Sequence, residues 1–450
     1  MHLRHMFIDF NAFFASVEQQ VQPGLRGRPV GVAATMTDSG CCIATSYEAR
    51  VFGIKTGTRV GEARALCRDV AIVPARPRLY VMMHQRFLKA IDTVIPVHKV
   101  HSIDEVDCLL DPTQRTVQRA TELALAVKRA VRKHCGVSMR CSIGCASNRV
   151  LAKLGTDMMK PDGLVILPPD EIRARIGHLS VDELSGIGPG MTRRLERAGI
   201  RTVNELMARS AKEMRSLWGG LVGEAWWHIL RGEEVREVRT KKSSVGHQHV
   251  LAPDLRSNES ARAVAYRLLL KAAARLRHEG LAARKLSLGI SFAQSHEFSS
   301  PWGGTSWGAS APLGEGCVDT PTMLEALRSL WERVPKDDKP VLVSVTLQDV
   351  LVPGNASLPL FQQEAKRVDL SKAMDKVNQR YGGNTVYTAN MQGVRGEGRG
   401  GIAFHVVPDL KLADSVQARQ RGGEGADERH FSDEELEAML DAGIADRRMM

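Results

Sequence analysis

At 450 residues, 43% of them hydrophobic and 5% aromatic, the chain is too long for one compact core, and about three or four domains are expected. The 62 Lys and Arg against 51 Asp and Glu give a formal charge of +11, which points toward a polyanionic partner such as nucleic acid. The excess is uneven, because nine acids and four bases fall from Arg421 onward, leaving +16 on the first 420 residues. No stretch of about 18 apolar residues is present, and the apolar start Met6 to Val17 is interrupted by Asp9 and Asn11. Neither a membrane span nor a signal peptide is expected, and the reading is a cytoplasmic protein. Eight cysteines form no CxxC pair and read as reduced, buried small side chains rather than zinc ligands or disulfides.

Met6 to Phe10 reads as a short buried strand carrying one acid, Asp9, and Ala12 to Gln20 as a helix with Phe13, Phe14 and Val17 on its apolar side. Strands at Val30 to Ala34 and Cys41 to Ser46 precede a helical turn at Tyr47 to Phe52. An amphipathic helix is expected over 79–95, then extended chain from Val97 to Leu110 with Asp104 and Glu105 in its middle. A long helix from Gln118 to His134, a central strand from Ser138 to Ala146 and a helix from Asn148 to Met159, stopped by Pro161, complete an α/β region around one sheet. From Ser180 to Arg231 only short helices are expected, and 232–243 reads as a basic linker. A further domain then runs strand (Ser244 to Leu251), helix (Glu259 to His278), strand (Lys285 to Ala293), strand (around Gly308 to Leu313), helix (Pro321 to Arg333), strand (Pro340 to Leu351). That order is the split βαβ arrangement, one sheet with two helices on one face. Beyond Pro353 the chain reads as mostly irregular, with one short helix from Ser432 to Ala442 that docks on a partner, docks on the basic body or keeps the acidic end solvated, the last being the plainer reading.

An acid in an apolar strand is costly unless it faces a cation or lies at the strand's end. Asp104 and Glu105 pose the same problem in a second strand, where neighbours point to opposite faces and converge only near an end or a bend. If Asp9 lies on the adjacent strand, three carboxylates meet, and hard oxygen ligands of that kind favour magnesium or manganese. Capping or hairpin roles for Asp9 and Asp104 are the plainer reading of the spacing alone. Tyr47 and Arg50 at a helix start, and Lys160 at another helix end, suit phosphate groups, although each alone is more often a surface side chain. Leu184-Ser-Gly186-Ile-Gly188-Pro-Gly190, followed by Arg193, Arg194 and Arg197, lets the backbone between two helices approach a DNA phosphate closely.

These residues resemble the Y-family translesion DNA polymerases of the DinB and UmuC type. The resemblance rests on Phe7-Ile-Asp9-Phe-Asn-Ala-Phe13-Phe14-Ala-Ser-Val-Glu18, Ala44-Thr-Ser-Tyr47-Glu-Ala-Arg50, Ser102-Ile-Asp104-Glu105, Cys141-Ser-Ile-Gly144 with Ala152-Lys153, Asp157-Met-Met-Lys160-Pro161-Asp-Gly163, and the Gly186-Ile-Gly188 hairpin. It implies a multidomain α/β and α+β right-hand fold: palm at 1–10 and 77–168, small fingers at 11–76, helical thumb with a helix-hairpin-helix at 169–231, basic linker at 232–243, split-βαβ little finger at 244–352, and a flexible region at 353–450. It further implies that Asp9, Asp104, Glu105 and the Phe10 carbonyl hold two Mg2+ ions, Mn2+ being a second option. Phe13, Phe14, Tyr47, Arg50 and Lys160 would bind the dNTP, with Phe14 as a steric gate under the sugar. The implied reaction is error-prone, two-metal nucleotidyl transfer to a primer 3'-hydroxyl past damaged bases, in SOS-type damage tolerance.

Primer-template DNA would meet Gly186, Gly188, Arg193, Arg194, Lys241 and Lys242. Ser357-Leu358-Pro359-Leu360-Phe361 resembles a peptide that binds the bacterial sliding clamp, through Leu358, Leu360 and Phe361, with Ser357 where Gln is usual; a strand returning to the preceding domain is the other reading of that apolar pair. A monomer is expected. Asn11 stands where the family often has a second Asp, and Asp107 departs from the usual pattern after Glu105, where its charge bears on the site. Two other readings stand beside this one. One is a catalytically silent polymerase-like mutagenesis accessory, which would have lost the carboxylates; the other is a nucleotidyl cyclase, which would not need the glycine hairpin.

Overall fold

The computed structural model describes residues 2–235, 242–292, 306–336, 338–352, 362–381, 385–394 and 433–445. Two compact units are present, the first taking in the described residues up to 235 with 433–445, the second those from 242 to 394. The segments expected as palm, fingers and thumb share the first unit.

In chain order that unit opens with β1 (His5–Phe10), α1 (Phe13–Val21), β2 (Val30–Ala33), β3 (Cys42–Thr45), α2 (Tyr47–Arg50), α3 (Val60–Leu66), β4 (Ala71–Pro74) and α4 (Pro77–Asp92). It continues through β5 (Val97–Val100), β6 (Glu105–Leu109), α5 (Val117–Cys135), β7 (Cys141–Ala146), α6 (Arg149–Met158) and β8 (Leu164–Ile166). Five short helices follow: α7 (Ile172–Ile176), α8 (Pro189–Arg197), α9 (Val203–Met207), α10 (Ala211–Trp218) and α11 (Leu221–Leu230).

The main sheet has the order β5-β6-β1-β7-β8, so β1 is central and antiparallel to both neighbours. All six residues of β1 are buried, which explains an apolar run instead of a polar alternation. Phe10 turns toward α4 and stacks on Phe87, with ring centroids 4.0 Å apart. Phe7 turns to the other face, where Lys153 of α6 lies 5.7 Å from its ring. The close seat of α6 depends on Gly144 of β7: a Cβ there would fall 2.0 Å from the Ala152 carbonyl oxygen. Asn148 caps α6 by accepting from the Leu151 amide at 3.0 Å. A second, three-stranded sheet, β3-β2-β4, carries α2 directly after β3. The strands β4 and β8 and the helix α3 were not expected from the sequence.

Among the short helices, Gly186 adopts φ 108° before α8, a conformation that L side chains rarely take. Leu184, Ile187, Leu195 and Trp226 pack there in one core with Leu151 and Leu154 of α6, so the helix that bears Lys153 is held from both sides.

The second unit contains β9 (Ser244–Val250), α12 (Asn258–His278), β10 (Ala283–Phe292), β11 (Ser306–Cys317), α13 (Thr320–Glu332) and β12 (Pro340–Gln348), with strand order β11-β10-β12-β9. Strand β12 lies antiparallel between β9 and β10, which is the split arrangement expected. Asp319 caps α13 by accepting from the Thr322 amide at 2.9 Å.

Two helices correct the reading of the chain beyond Pro353. Helix α14 (Gln362–Tyr381) occupies a stretch expected to be irregular. It is held by polar contacts: Arg277 donates to both carboxylate oxygens of Asp375 at 2.6 and 2.9 Å, and the Thr320 amide donates to Ser371 Oγ at 2.9 Å. Helix α15 (Asp433–Ala445) is not a solvated end, because it packs on α1 and α5, buries Leu440 to 2% exposure and pairs Asp441 with Arg86. Seven of the eight cysteines are buried. No helix among the described residues is long and apolar enough to cross a membrane.

The buried His5 ties the sheet to the end of the helical region. Its Nδ1 meets Asp107 at 3.0 Å and its Nε2 meets Glu234 at 2.9 Å. Burial alone would push the imidazole down, but Asp107 and then Glu234 outweigh it and hold His5 above its ordinary value of 6.5. A raised folded-state value means that this contact stabilises fully below 6.5 and is lost as pH rises through the folded value. Urea unfolding should therefore show stability falling over that rise. A His5→Gln variant, which hydrogen-bonds but cannot titrate, should lack that part of the slope; an unchanged slope would remove His5 as its source.

Candidate active site

Asp9 lies near the end of β1 and is only 4% exposed. The register sets it directly across from Glu105 on β6, and the Phe10 amide donates to the Asp104 carbonyl at 2.9 Å. Asp104 precedes β6 at a bend where the His101 and Ser102 amides both donate to the Glu105 carbonyl. That bend answers the difficulty of alternation, since it lets two consecutive acids reach one cavity. Burial raises the Asp104 carboxyl; Ser102, whose hydroxyl donates to it at 2.5 Å, opposes the shift, and the charges of Asp9 and Glu105 add to it.

Two lysines enter this cluster. Lys153, which stands in the Ala152-Lys153 motif with no role expected of it, pairs with Asp9, with Glu105 at 2.9 Å and with Asp157 at 3.5 Å. Lys160 reaches Asp9 and Asp157, both at 2.8 Å. Burial would lower both ammonium groups, but Asp9 above all holds each of them above its ordinary value. Among the described residues no three acidic, His or Cys side chains stand at metal-ligand spacing. Instead the Lys153 ammonium pairs with both Asp9 and Glu105.

A cavity of about 390 Å³ collects these groups. Asp9, Phe10, Asp104, Glu105, Lys153 and Lys160 line one side, and Phe13, Phe14, Tyr47 and Arg50 also face it. Every residue expected to hold metal or nucleotide is thus in one lining. The Arg50 guanidinium lies 4.4 Å from the centre of the Tyr47 ring. Burial raises the Tyr47 phenol, and Arg50 and Lys160 partly offset it, so the hydroxyl stays a neutral hydrogen-bond donor. Ile43 joins the lining, whereas its neighbour Cys41 does not.

Phe14 is 3% exposed and stacks on Tyr80 with centroids 4.3 Å apart. The Tyr80 hydroxyl donates to Glu18 at 2.8 Å, and Glu18 also accepts from Arg76, whose Nε lies at 3.1 Å. This buried network fixes the ring behind Phe14, and nothing in local sequence linked its three members. Arg76→Ala would leave the Glu18 carboxylate buried without its cation, and unfolding free energy should fall by about 3–5 kcal/mol in urea titrations. A loss below about 1 kcal/mol, the scale of an exposed pair, would show that Glu18 is hydrated instead.

The two departures from the family pattern have structural roles. Asn11 donates to Ser142 Oγ at 3.0 Å and accepts from the Asp162 amide at 2.7 Å, tying β1 to the turn after Lys160. Asp107 is paired with His5 and is not in the cavity lining, so the expected effect of its charge on the site is met by a neighbouring base. Gly186, Gly188, Arg193 and Arg194 are exposed, and Arg194 donates to the Leu217 carbonyl at 3.2 Å. Lys242 is paired with Glu279, while Lys241 and the peptide residues Leu358, Leu360 and Phe361 lie outside the described residues.

Residues 8–157 match the model of the impB/mucB/samB family, and residues 242–360 match that of its C-terminal domain. A DNA polymerase IV of Moorella thermoacetica is 31% identical over 85% of this chain and 95% of its own length. One of Halorhodospira halophila is 34% identical over 64% of this chain and 80% of its own. A solved Y-family DNA polymerase chimera shares the fold, with a TM-score of 0.61 at 23% identity over 78% of this chain and 99% of its own. These relatives and this fold define the class as a template-directed nucleic-acid polymerase. The chain belongs to the impB/mucB/samB family, as a Y-family DNA-directed DNA polymerase of the DinB type that carries out translesion synthesis.

Proposed function

We propose that this polymerase extends a primer from dNTPs by two-metal nucleotidyl transfer in the cavity of Asp9, Asp104 and Glu105, and serves error-prone, SOS-type damage tolerance. The observation that carries the reading is the shared lining, with three carboxylates, two lysines, Tyr47, Arg50 and Phe14 around one space. The donor set fits divalent cations: three carboxylates and the Phe10 carbonyl are hard oxygens, and a divalent charge offsets the repulsion from Asp9 and Glu105 that adds to the effect of burial on Asp104. Mg2+ is the ion proposed, with Mn2+ accepted by the same ligands. When bound, such ions favour the ionised primer hydroxyl and offset charge on the leaving group.

The chain's own residues do the rest. Lys160 exchanges Asp9 for the triphosphate, which Tyr47 and Arg50 also grip, so binding of nucleotide and release of that ion pair are coupled. The primer 3'-oxygen bonds to the α-phosphorus, the bond from that phosphorus to the bridging oxygen breaks, and pyrophosphate leaves with the electron pair while the hydroxyl proton passes to solvent. Phe14, stacked on Tyr80, holds a flat wall beneath the sugar. Gly186 and Gly188, with Arg193, Arg194, Lys241 and Lys242, would take primer-template DNA through its backbone, and Lys242 must leave Glu279 to do so. Leu358, Leu360 and Phe361 are proposed to bind a sliding clamp, and the enzyme to work as a monomer. A silent accessory would have no use for three carboxylates, Asp9 buried and Asp104 and Glu105 partly so, around one cavity.

Purified Asp104→Ala should lose primer extension in Mg2+ by at least about 100-fold, the scale of losing one charge-stabilising group, with primer-template affinity unchanged in a filter-binding assay. Extension at the wild-type rate would end the catalytic assignment. Phe14→Ala should raise ribonucleotide incorporation relative to deoxynucleotide by about tenfold or more. Unchanged discrimination in single-nucleotide insertion would deny Phe14 the gate.

A further inference from the structure

A second cavity, of about 650 Å³, adjoins the nucleotide site. Tyr47 belongs to both linings, and Pro161 and Asp162, which follow Lys160, line the second. Its walls come from α1 on one side and α5 on the other, and five Arg and Lys side chains face only two acids, Glu48 and Asp162. Two of the bases are committed to the fold. Lys128 donates to the Cys141 carbonyl at 2.8 Å and to Asp162 Oδ1 at 2.7 Å, and Arg26 donates to the carbonyls of Gln19 and Gln20, both at 3.2 Å. Arg129 and Arg140 differ, being exposed and, among the described residues, in no ion pair.

We infer that this cavity is an inorganic pyrophosphate site, which receives the leaving group of nucleotidyl transfer between Arg129 and Arg140 after it passes Tyr47. The inference rests on the polymerase chemistry proposed above. Lys128 offsets Asp162, and Arg129 and Arg140 outnumber the remaining acid, Glu48, so the charge that an entering anion meets is positive. Guanidinium groups match phosphate oxygens in paired hydrogen bonds. The volume suits a small hydrated polyanion, and no member of the nucleotide-gripping set except Tyr47 is shared, so product can be held while the first cavity is refilled.

The test uses the full-length protein and the double variant Arg129→Glu/Arg140→Glu, both positions being exposed and outside the proposed catalytic set. Pyrophosphate titrated calorimetrically into the DNA-free protein should bind, and the double variant should bind at least tenfold more weakly. In primer extension, the inhibition constant of added pyrophosphate should rise by the same factor, with kcat and the KM for dNTP within about twofold of wild type. An unchanged inhibition constant overturns the site. So does pyrophosphate binding that Lys160→Ala abolishes and the double variant leaves intact, since the anion then sits in the nucleotide cavity. An equal loss of primer-template affinity in the double variant would assign the arginines to DNA and also overturn it. If wild-type protein binds pyrophosphate through these arginines but never extends a primer, the site stands and the polymerase chemistry is what fails.

Discussion

Asp9 and Glu105 face each other across two paired strands in the middle of a buried sheet. Like charges at that spacing repel, and a buried carboxylate needs a partner or loses its charge. The surrounding architecture supplies the partners. Helix α6 comes close enough to insert Lys153 between the two acids only because Gly144 has no side chain, and α6 is pressed there by a core it shares with the short helices. Lys160 approaches from the turn that Asn11 ties to β1. The cavity they line is therefore an outcome of charge compensation around one strand.

Much of this was legible because it is local. One acid in the apolar run Met6 to Phe10, a pair of acids in a second extended stretch, and a tyrosine and arginine opening a helical turn each stand out without long-range information. Lys153 did not, because a lysine on a helix is ordinarily a surface residue, and its 12% side-chain exposure follows from the crossing at Gly144. Its neighbours Leu151, Ala152 and Leu154 were the available signal: an apolar surround on a helix makes a solvated lysine improbable. The network of Glu18, Arg76 and Tyr80 joins residues 58 and 62 positions from Glu18, and such contacts leave no periodic trace. Strands of three or four residues such as β8 and β4 are too short for alternation to be seen.

The missed or misjudged helices share a different cause. Helix α14 presents few apolar side chains and is anchored through Arg277, Asp375 and Ser371, so hydrophobic periodicity, the main sequence signal, is weak there. Helix α15 was visible by its acids, and those acids suggested solvent. Its docking on α1 and α5 depends on one buried leucine and one ion pair. The acidic end thus spends part of its charge on the basic body of the first unit, and the uneven charge read along the chain is partly evened out within the fold.

The resting site carries its own counterions. Lys153 and Lys160 neutralise Asp9 without any divalent ion, so the fold does not depend on a metal to compensate that charge. On the proposed chemistry, a chelator stops the reaction without leaving Asp9 and Glu105 unpaired, because Lys153 meets both. On that same proposed chemistry, the enzyme persists in an assembled, inert form through intervals when a divalent ion or nucleotide is scarce, and regains function as soon as a lysine is traded for a cation.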